Sequence, residues 1–106
     1  MQTGICLRIY LSESDSIHHT PALEAILSLC QEAGLQGVSV FRGIEGLGKH
    51  GVHSTSFLEL SSSLPLVIEV IDTEDKIHQA LPLMQKQLPS ALIATWPLQL
   101  IQKPTE

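Results

Sequence analysis

Apolar residues along the chain follow two periodicities. Residues 3–11 alternate, with Ile5, Leu7, Ile9 and Leu11 on one face and Cys6, Arg8 and Tyr10 on the other. A period of two marks a strand buried on at least one face. A polar connection, Ser12-Glu13-Ser14-Asp15-Ser16, follows. Leu23, Ile26, Leu27 and Cys30 then recur at i, i+3, i+4 and i+7, the stripe of an amphipathic helix. Thr20 is expected to cap this helix, with Pro21 at its first position, where the missing N–H is harmless. Gly34 supplies the left-handed residue that ends it. Alternation resumes from Gly37 to Arg42, with Val38 and Val40 opposite in sense to Ser39 and Phe41. The strongest strand signal is Leu66-Val67-Ile68-Glu69-Val70-Ile71, rich in β-branched residues and largely apolar on both faces. Thr73 caps a second helix, and Glu74 and Asp75 suit its positive end. Ile77, Leu81, Met84 and Leu88 form its stripe. Pro82 falls inside the span 74–88, removes a backbone bond, and is expected to kink or break the helix there. Ala91 to Trp96 reads as a last strand, ended or displaced to an edge by Pro97. Ser56 to Leu60 reads as a short strand, and Gln102 to Glu106 as a loose tail.

The order β-α-β-loop-β-α-β predicts an α+β fold: a ferredoxin-like βαββαβ sandwich, a four-stranded antiparallel sheet with two helices on one face. Residues 1–106 form one domain in this reading, with a projecting glycine-rich loop at about 43–55. The helices cover one side of the sheet. Phe41, Val67, Ile71 and either Ile93 or Trp96 put apolar surface on the other. Such a face is expected to be covered, either by a closed homo-oligomer packing sheet faces together or by a crossing C-terminal segment. Glu69 on that face requires a partner, and Arg8 and Arg42 are the candidates.

Composition narrows the function. The 106 residues carry a net charge of −5 with histidines neutral and only six Lys and Arg, which argues against general nucleic-acid binding. A local basic spot still suits one small anion. One Trp, one Tyr and two Phe leave an aliphatic core. Cys6 and Cys30 have no CxxC or metal-ligand spacing and are expected as buried free thiols. No apolar run approaches the roughly 18 residues of a membrane span, and no basic-then-apolar leader opens the chain. A cytoplasmic protein without membrane insertion is expected.

The chemistry concentrates between Arg42 and Thr55, where four of the seven glycines lie. Gly46-Leu47-Gly48-Lys49-His50-Gly51 satisfies GxGxxG, with Asp72 about twenty residues on. The dinucleotide reading fails because the next residues read as extended, whereas the fingerprint needs a helix N-terminus to hold the pyrophosphate. No Walker A loop is present. Successive glycine N–H groups can instead form an anion nest, with Arg42 and Lys49 supplying charge. The plain alternative is a hairpin whose glycines satisfy turn geometry. His50 and His53 form a weak metal pair that needs a third ligand from another subunit; otherwise they are polar loop residues. His18 and His19 are expected to face solvent ahead of the helix, and His78 to be peripheral. Glu45 and Asp72 are further carboxylates near the loop. No Ser-His-Asp or Cys-His order and no specifying carboxylate pair appears, so no catalysis is expected. No cofactor is specified by the residues.

The run Arg42-Gly43-Ile44-Glu45-Gly46-Leu47-Gly48, then His53-Ser54-Thr55, then Leu64-Pro65-Leu66-Val67-Ile68-Glu69-Val70-Ile71-Asp72-Thr73-Glu74, resembles the DUF190 family of small PII-like proteins. Gly34-Leu35-Gln36-Gly37-Val38 and Glu13-Ser14-Asp15 match it too. The resemblance implies a ferredoxin-like fold, a trimer like those of PII and CutA proteins, and a regulatory role. PII relatives bind adenine nucleotides between subunits beside such a loop. The glycine-rich phosphate loop that PII proteins carry before the last strand is replaced here by Leu88-Pro89-Ser90-Ala91. With the resemblance added, the candidate ligand-binding residues are Arg42, Gly43, Glu45, Gly46, Gly48, Lys49, His53 and Ser54. The first expectation is a PII-like signalling trimer. A small anionic metabolite, an adenine nucleotide foremost, orders the loop, and the loop controls a partner protein. The alternative is a CutA-like metal-binding trimer using His50 and His53, and a small enzyme with an interfacial site ranks last.

Overall fold

The computed structural model describes residues 1–48, 51–54 and 64–103, the segment 45–54 as backbone alone. In chain order the elements are β1 (Gln2–Ser12), β2 (Ser16–Ile17), β3 (Thr20–Pro21), α1 (Ala22–Glu32), β4 (Gly37–Arg42), β5 (Glu45–Gly48), β6 (Gly51–Ser54), β7 (Pro65–Thr73), α2 (Glu74–Gln87) and β8 (Leu92–Leu100). The main sheet has the order β4-β7-β1-β8, every pair antiparallel. The two most apolar strands, β1 and β7, therefore lie in the middle, where both edges can be paired. Leu7, Ile9 and Leu11 of β1 meet Leu66, Ile68 and Val70 of β7 on the helix side. They form one core with Ile26, Leu29 and Cys30 of α1 and Ile77, Ala80 and Met84 of α2. Each fully buried Leu or Ile there contributes about 1.5–3 kcal/mol relative to exposure. This is the ferredoxin-like α+β sandwich expected from the alternation.

The helix ends obey local rules. Gly34 has φ +73°, and the N–H groups of Gly34 and Leu35 bond back to the carbonyls of Gln31 and Cys30 at 3.1 and 3.0 Å, a Schellman stop. Lys76 of α2 adds its ammonium to the Gly34 carbonyl at 2.9 Å, tying the two helices together. Thr73 caps α2 by accepting from the Lys76 N–H at 3.4 Å.

Several expectations need correction. Thr20 and Pro21 do not open α1. They pair with Ile17 and Ser16 in a small hairpin, and Pro21 is the cap residue, without a side-chain capping bond. The first helical N–H, that of Ala22, goes to the Asp15 carbonyl at 2.8 Å. The hairpin turns on His18 and His19, both at positive φ (50° and 69°), as a two-residue primed turn demands. The buried stripe of α1 is Ala22, Ile26, Leu29 and Cys30, and Leu27 lies outward. Pro82 does not break α2, which runs unbroken from Glu74 to Gln87. Both Pro82 and His78, whose carbonyl loses its bond, are exposed, so water satisfies the orphan group. Of the two outcomes expected at Pro97 the second holds: β8 does not end there but continues to Leu100 as an edge strand. The strand expected over Ser56 to Leu60 lies outside the described residues.

Among the described residues no element packs over the sheet's other side. By register Cys6 stands between Ile71 and Trp96, Arg8 between Glu69 and Ala94, and Tyr10 between Val67 and Leu92. Phe41 sits opposite Val67. Trp96, not Ile93, supplies apolar surface here, since Ile93 packs against the core. Glu69 takes Arg8 as its partner: Arg8 donates from Nε and Nη2 to Oε1 at 3.1 and 3.0 Å, and Trp96 lies 5.4 Å from the guanidinium carbon. Leu100, Gln102 and Lys103 border one end of the sheet with Gln36, Gly37, Ile71 and Asp72 around a hollow of about 120 Å³. They do not cover the rest, and Tyr10, Phe41, Leu92 and Trp96 stay exposed.

Candidate functional site at the base of the glycine hairpin

Three segments converge where β4 ends. The N–H of Gly43 donates to the Pro65 carbonyl at 2.7 Å, and the N–H of Glu13 donates to the Leu64 carbonyl at 2.9 Å. Two chain positions thirty residues apart therefore hang from consecutive carbonyls at the start of β7. Gly43 is required by this closeness, because a Cβ there would lie 2.6 Å from Pro65 Cγ. Arg42, the last residue of β4, donates from Nε to Glu13 Oε1 at 2.9 Å. The arginine side chain is 60% exposed and the glutamate 20%. The Glu13 segment is itself braced. Asp15 Oδ2 accepts from the Ser12 N–H at 2.9 Å, and the Asp15 N–H returns to the Ser12 carbonyl at 3.0 Å.

Beyond Gly43 the chain forms the hairpin β5–β6. Its register sets Glu45 against Ser54, Gly46 against His53, Leu47 against Val52 and Gly48 against Gly51. Of the sequence-predicted residues, the structure thus brings Arg42 and Gly43 to the hairpin base. By backbone pairing it places Glu45 beside Ser54, and Gly46 beside His53. Gly48 pairs farthest along the hairpin. Lys49 and His50 lie outside the described residues. Among the described residues no group of three His, Cys, Asp or Glu could hold a metal ion.

Other candidates have structural duties. Asp72, 8% exposed, accepts from the N–H groups of Gln36 and Thr73 at 3.1 and 2.8 Å, closing the α1–β4 connection against the end of β7. Burial pushes the Cys30 thiol up to about 11. Burial and the Glu69 carboxylate, 3.7 Å away, also raise Cys6. Both are buried free thiols. A groove of about 270 Å³ between the end of α2 and β8 is lined by Leu81, Leu88, Pro89, Ala91, Ile93 and neighbours; none of the predicted site residues lines it. Glu13, which matched the family only as part of Glu13-Ser14-Asp15, was not among the predicted site residues. It sits in a polar connection 29 residues from Arg42, and only the fold joins them.

A four-stranded antiparallel sheet backed by two helices is a ferredoxin-like fold, here with a hairpin rising from the end of β4. CPII, a nitrogen regulatory PII-like protein from Thiomonas intermedia solved with ADP, AMP and bicarbonate, superposes with a TM-score of 0.72. It shares 19% identity, over 94% of this chain and 90% of CPII, a likeness of fold. The chain belongs to the DUF190 family, described as "Uncharacterized ACR", whose model matches residues 4–100. A UPF0166 protein of Aquifex aeolicus is 42% identical over 76 residues, 71% of this chain and 72% of that one. A UPF0166 protein of Methanocaldococcus jannaschii is 36% identical over 76 residues, 72% of this chain and 70% of that one. No helix among the described residues is long and apolar enough to cross a membrane.

Proposed function

We propose that residues 1–106 form a single PII-like regulatory domain that assembles as a homotrimer and binds a small anionic metabolite, an adenine nucleotide, at clefts between subunits. The binding residues in this reading are Arg42, Gly43, Glu45, Gly46, Gly48, Lys49, His53 and Ser54. The ligand orders the hairpin, and the hairpin engages or releases a partner protein in the cytoplasm. The role is one of binding, not catalysis. The observation that carries the reading is Arg42, pinned at the root of a glycine-rich hairpin in a fold of the kind that CPII presents with ADP and AMP bound. A guanidinium there can grip a phosphate in bidentate fashion.

Thermal unfolding in the presence of ADP, AMP, zinc and copper tests this. A nucleotide at a hundred times its dissociation constant adds about 2.7 kcal/mol. Arg42→Ala and Lys49→Ala each lower nucleotide affinity roughly tenfold, the loss of a charge-assisted bond. A shift with zinc or copper and none with nucleotides would favour the CutA-like metal reading through His50 and His53 instead.

A further inference from the structure

The geometry points to Glu13 as the positioning residue for Arg42: it holds the guanidinium by Nε so that the two terminal nitrogens face the phosphates of a nucleoside diphosphate. The inference rests on the anion-binding reading above and adds to it a residue, from a different segment, on which the phosphate contact depends.

Four observations carry it. First, Glu13 Oε1 engages Arg42 at Nε, at 2.9 Å. A planar guanidinium held on its Nε side keeps its terminal edge as a fork for a second anion. Second, the arginine is mostly exposed whereas the glutamate is mostly covered, at 60% and 20%. The fixed member is the carboxylate, and the member presented to solvent is the one that suits a phosphate. Third, both partners are set by the same two carbonyls. Glu13 bonds to Leu64 through its own N–H, and Gly43, next to Arg42, bonds to Pro65. Their separation is a property of the framework and precedes any ligand, which is what a preorganised contact requires. Fourth, an ion pair with so exposed an arginine adds little to stability. Its orienting effect is the larger one, as with the outer carboxylates that aim ligand-holding side chains elsewhere.

The test is calorimetric titration of the full chain with ADP and, separately, adenosine, with circular dichroism to verify folding. Glu13→Ala is expected to weaken ADP binding roughly three- to tenfold while leaving adenosine affinity unchanged, because only the phosphate contact is misaimed. Glu13→Gln, which keeps an acceptor oxygen for Nε, returns ADP affinity to within about twofold of wild type. Glu13→Ala combined with Arg42→Ala loses no more than Arg42→Ala alone, the signature of residues acting as a unit. A Glu13→Ala protein that melts earlier but binds ADP as wild type does would reduce the pair to a structural contact and overturn the inference. Tighter ADP binding in Glu13→Ala would overturn it also, showing that the carboxylate competes with the ligand. If ADP binds and depends on Arg42 but not on Glu13, the inference alone fails. If the wild-type chain binds no ADP, or Arg42→Ala leaves its affinity intact, the site reading fails and this inference with it.

Discussion

Gly43 shows how much one missing side chain can hold. Its N–H reaches Pro65 at 2.7 Å, and a Cβ would collide with the proline ring at 2.6 Å. Gly43→Ala is expected to cost about 1–3 kcal/mol in urea unfolding, with a weaker grip of the hairpin base on β7. The thiol of Cys30 gives a pH dependence. Its folded pKa is about 11 against an ordinary 9.0, so between these values the unfolded chain has lost a proton that the folded chain keeps. The Cys30 contribution to stability is therefore level below pH 9 and falls as pH rises toward 11, by about 2 kcal/mol. Cys6 shifts in the same direction. Cys30→Ala should flatten most of that alkaline slope, a comparison that urea melts at pH 8, 9, 10 and 11 would settle. At this scale the chain was partly legible. Alternation in β1 placed Leu7 and Ile9 inward and Arg8 outward, because in a strand the face follows from parity alone. The partners of the charges followed only in part: Glu69 was narrowed to Arg8 or Arg42 and takes Arg8, across 61 residues, whereas Arg42 meets Glu13 across 29. No local pattern encodes such distances.

Among the elements, α2 carries the clearest internal cost. Pro82 withholds a backbone bond in the interior of an otherwise ordinary helix, yet both it and His78 face water. Pro82→Ala is expected to stabilise the protein by roughly 2 kcal/mol, a helix-interior gain less the entropy that proline removes from the unfolded chain. A lower urea midpoint in Pro82→Ala would contradict this. Helix α2 was legible in its cap and stripe. Its continuity was not, since whether proline breaks a helix depends on which side of it water reaches. The start of α1 was misread for a related reason. Thr20-Pro21 has the composition of a helix entry, but His18 and His19 accept positive φ, which histidine does more readily than most residues. That lets a tight hairpin consume the two positions first.

In the whole molecule, β1 and β7 at the sheet centre bring the hairpin base, the Glu13 segment and the helix caps to their places. The fold class was legible because it depends only on element order and on which strands are apolar on both faces. The candidate site could be read as a glycine-rich segment following Arg42, but not as an arrangement, because the geometry of the hairpin base is set at Leu64 and Pro65. The open sheet face bears on assembly. If subunits pack there, the protein sediments at three times its 11.6 kDa chain mass, and Trp96→Glu reduces it to single chains by placing a charge in the apolar contact. A wild-type chain that stays monomeric at micromolar concentration would sink the homotrimer. Trp96 carries one consequence more. It is the chain's single tryptophan, it is 41% exposed on that face, and the Arg8 guanidinium sits 5.4 Å from its ring. Its fluorescence therefore comes from one known place. Emission moves to the blue when anything dry covers the open face and to the red when water returns, so dilution of the unlabelled protein reports by colour whether, and at what concentration, that face is covered.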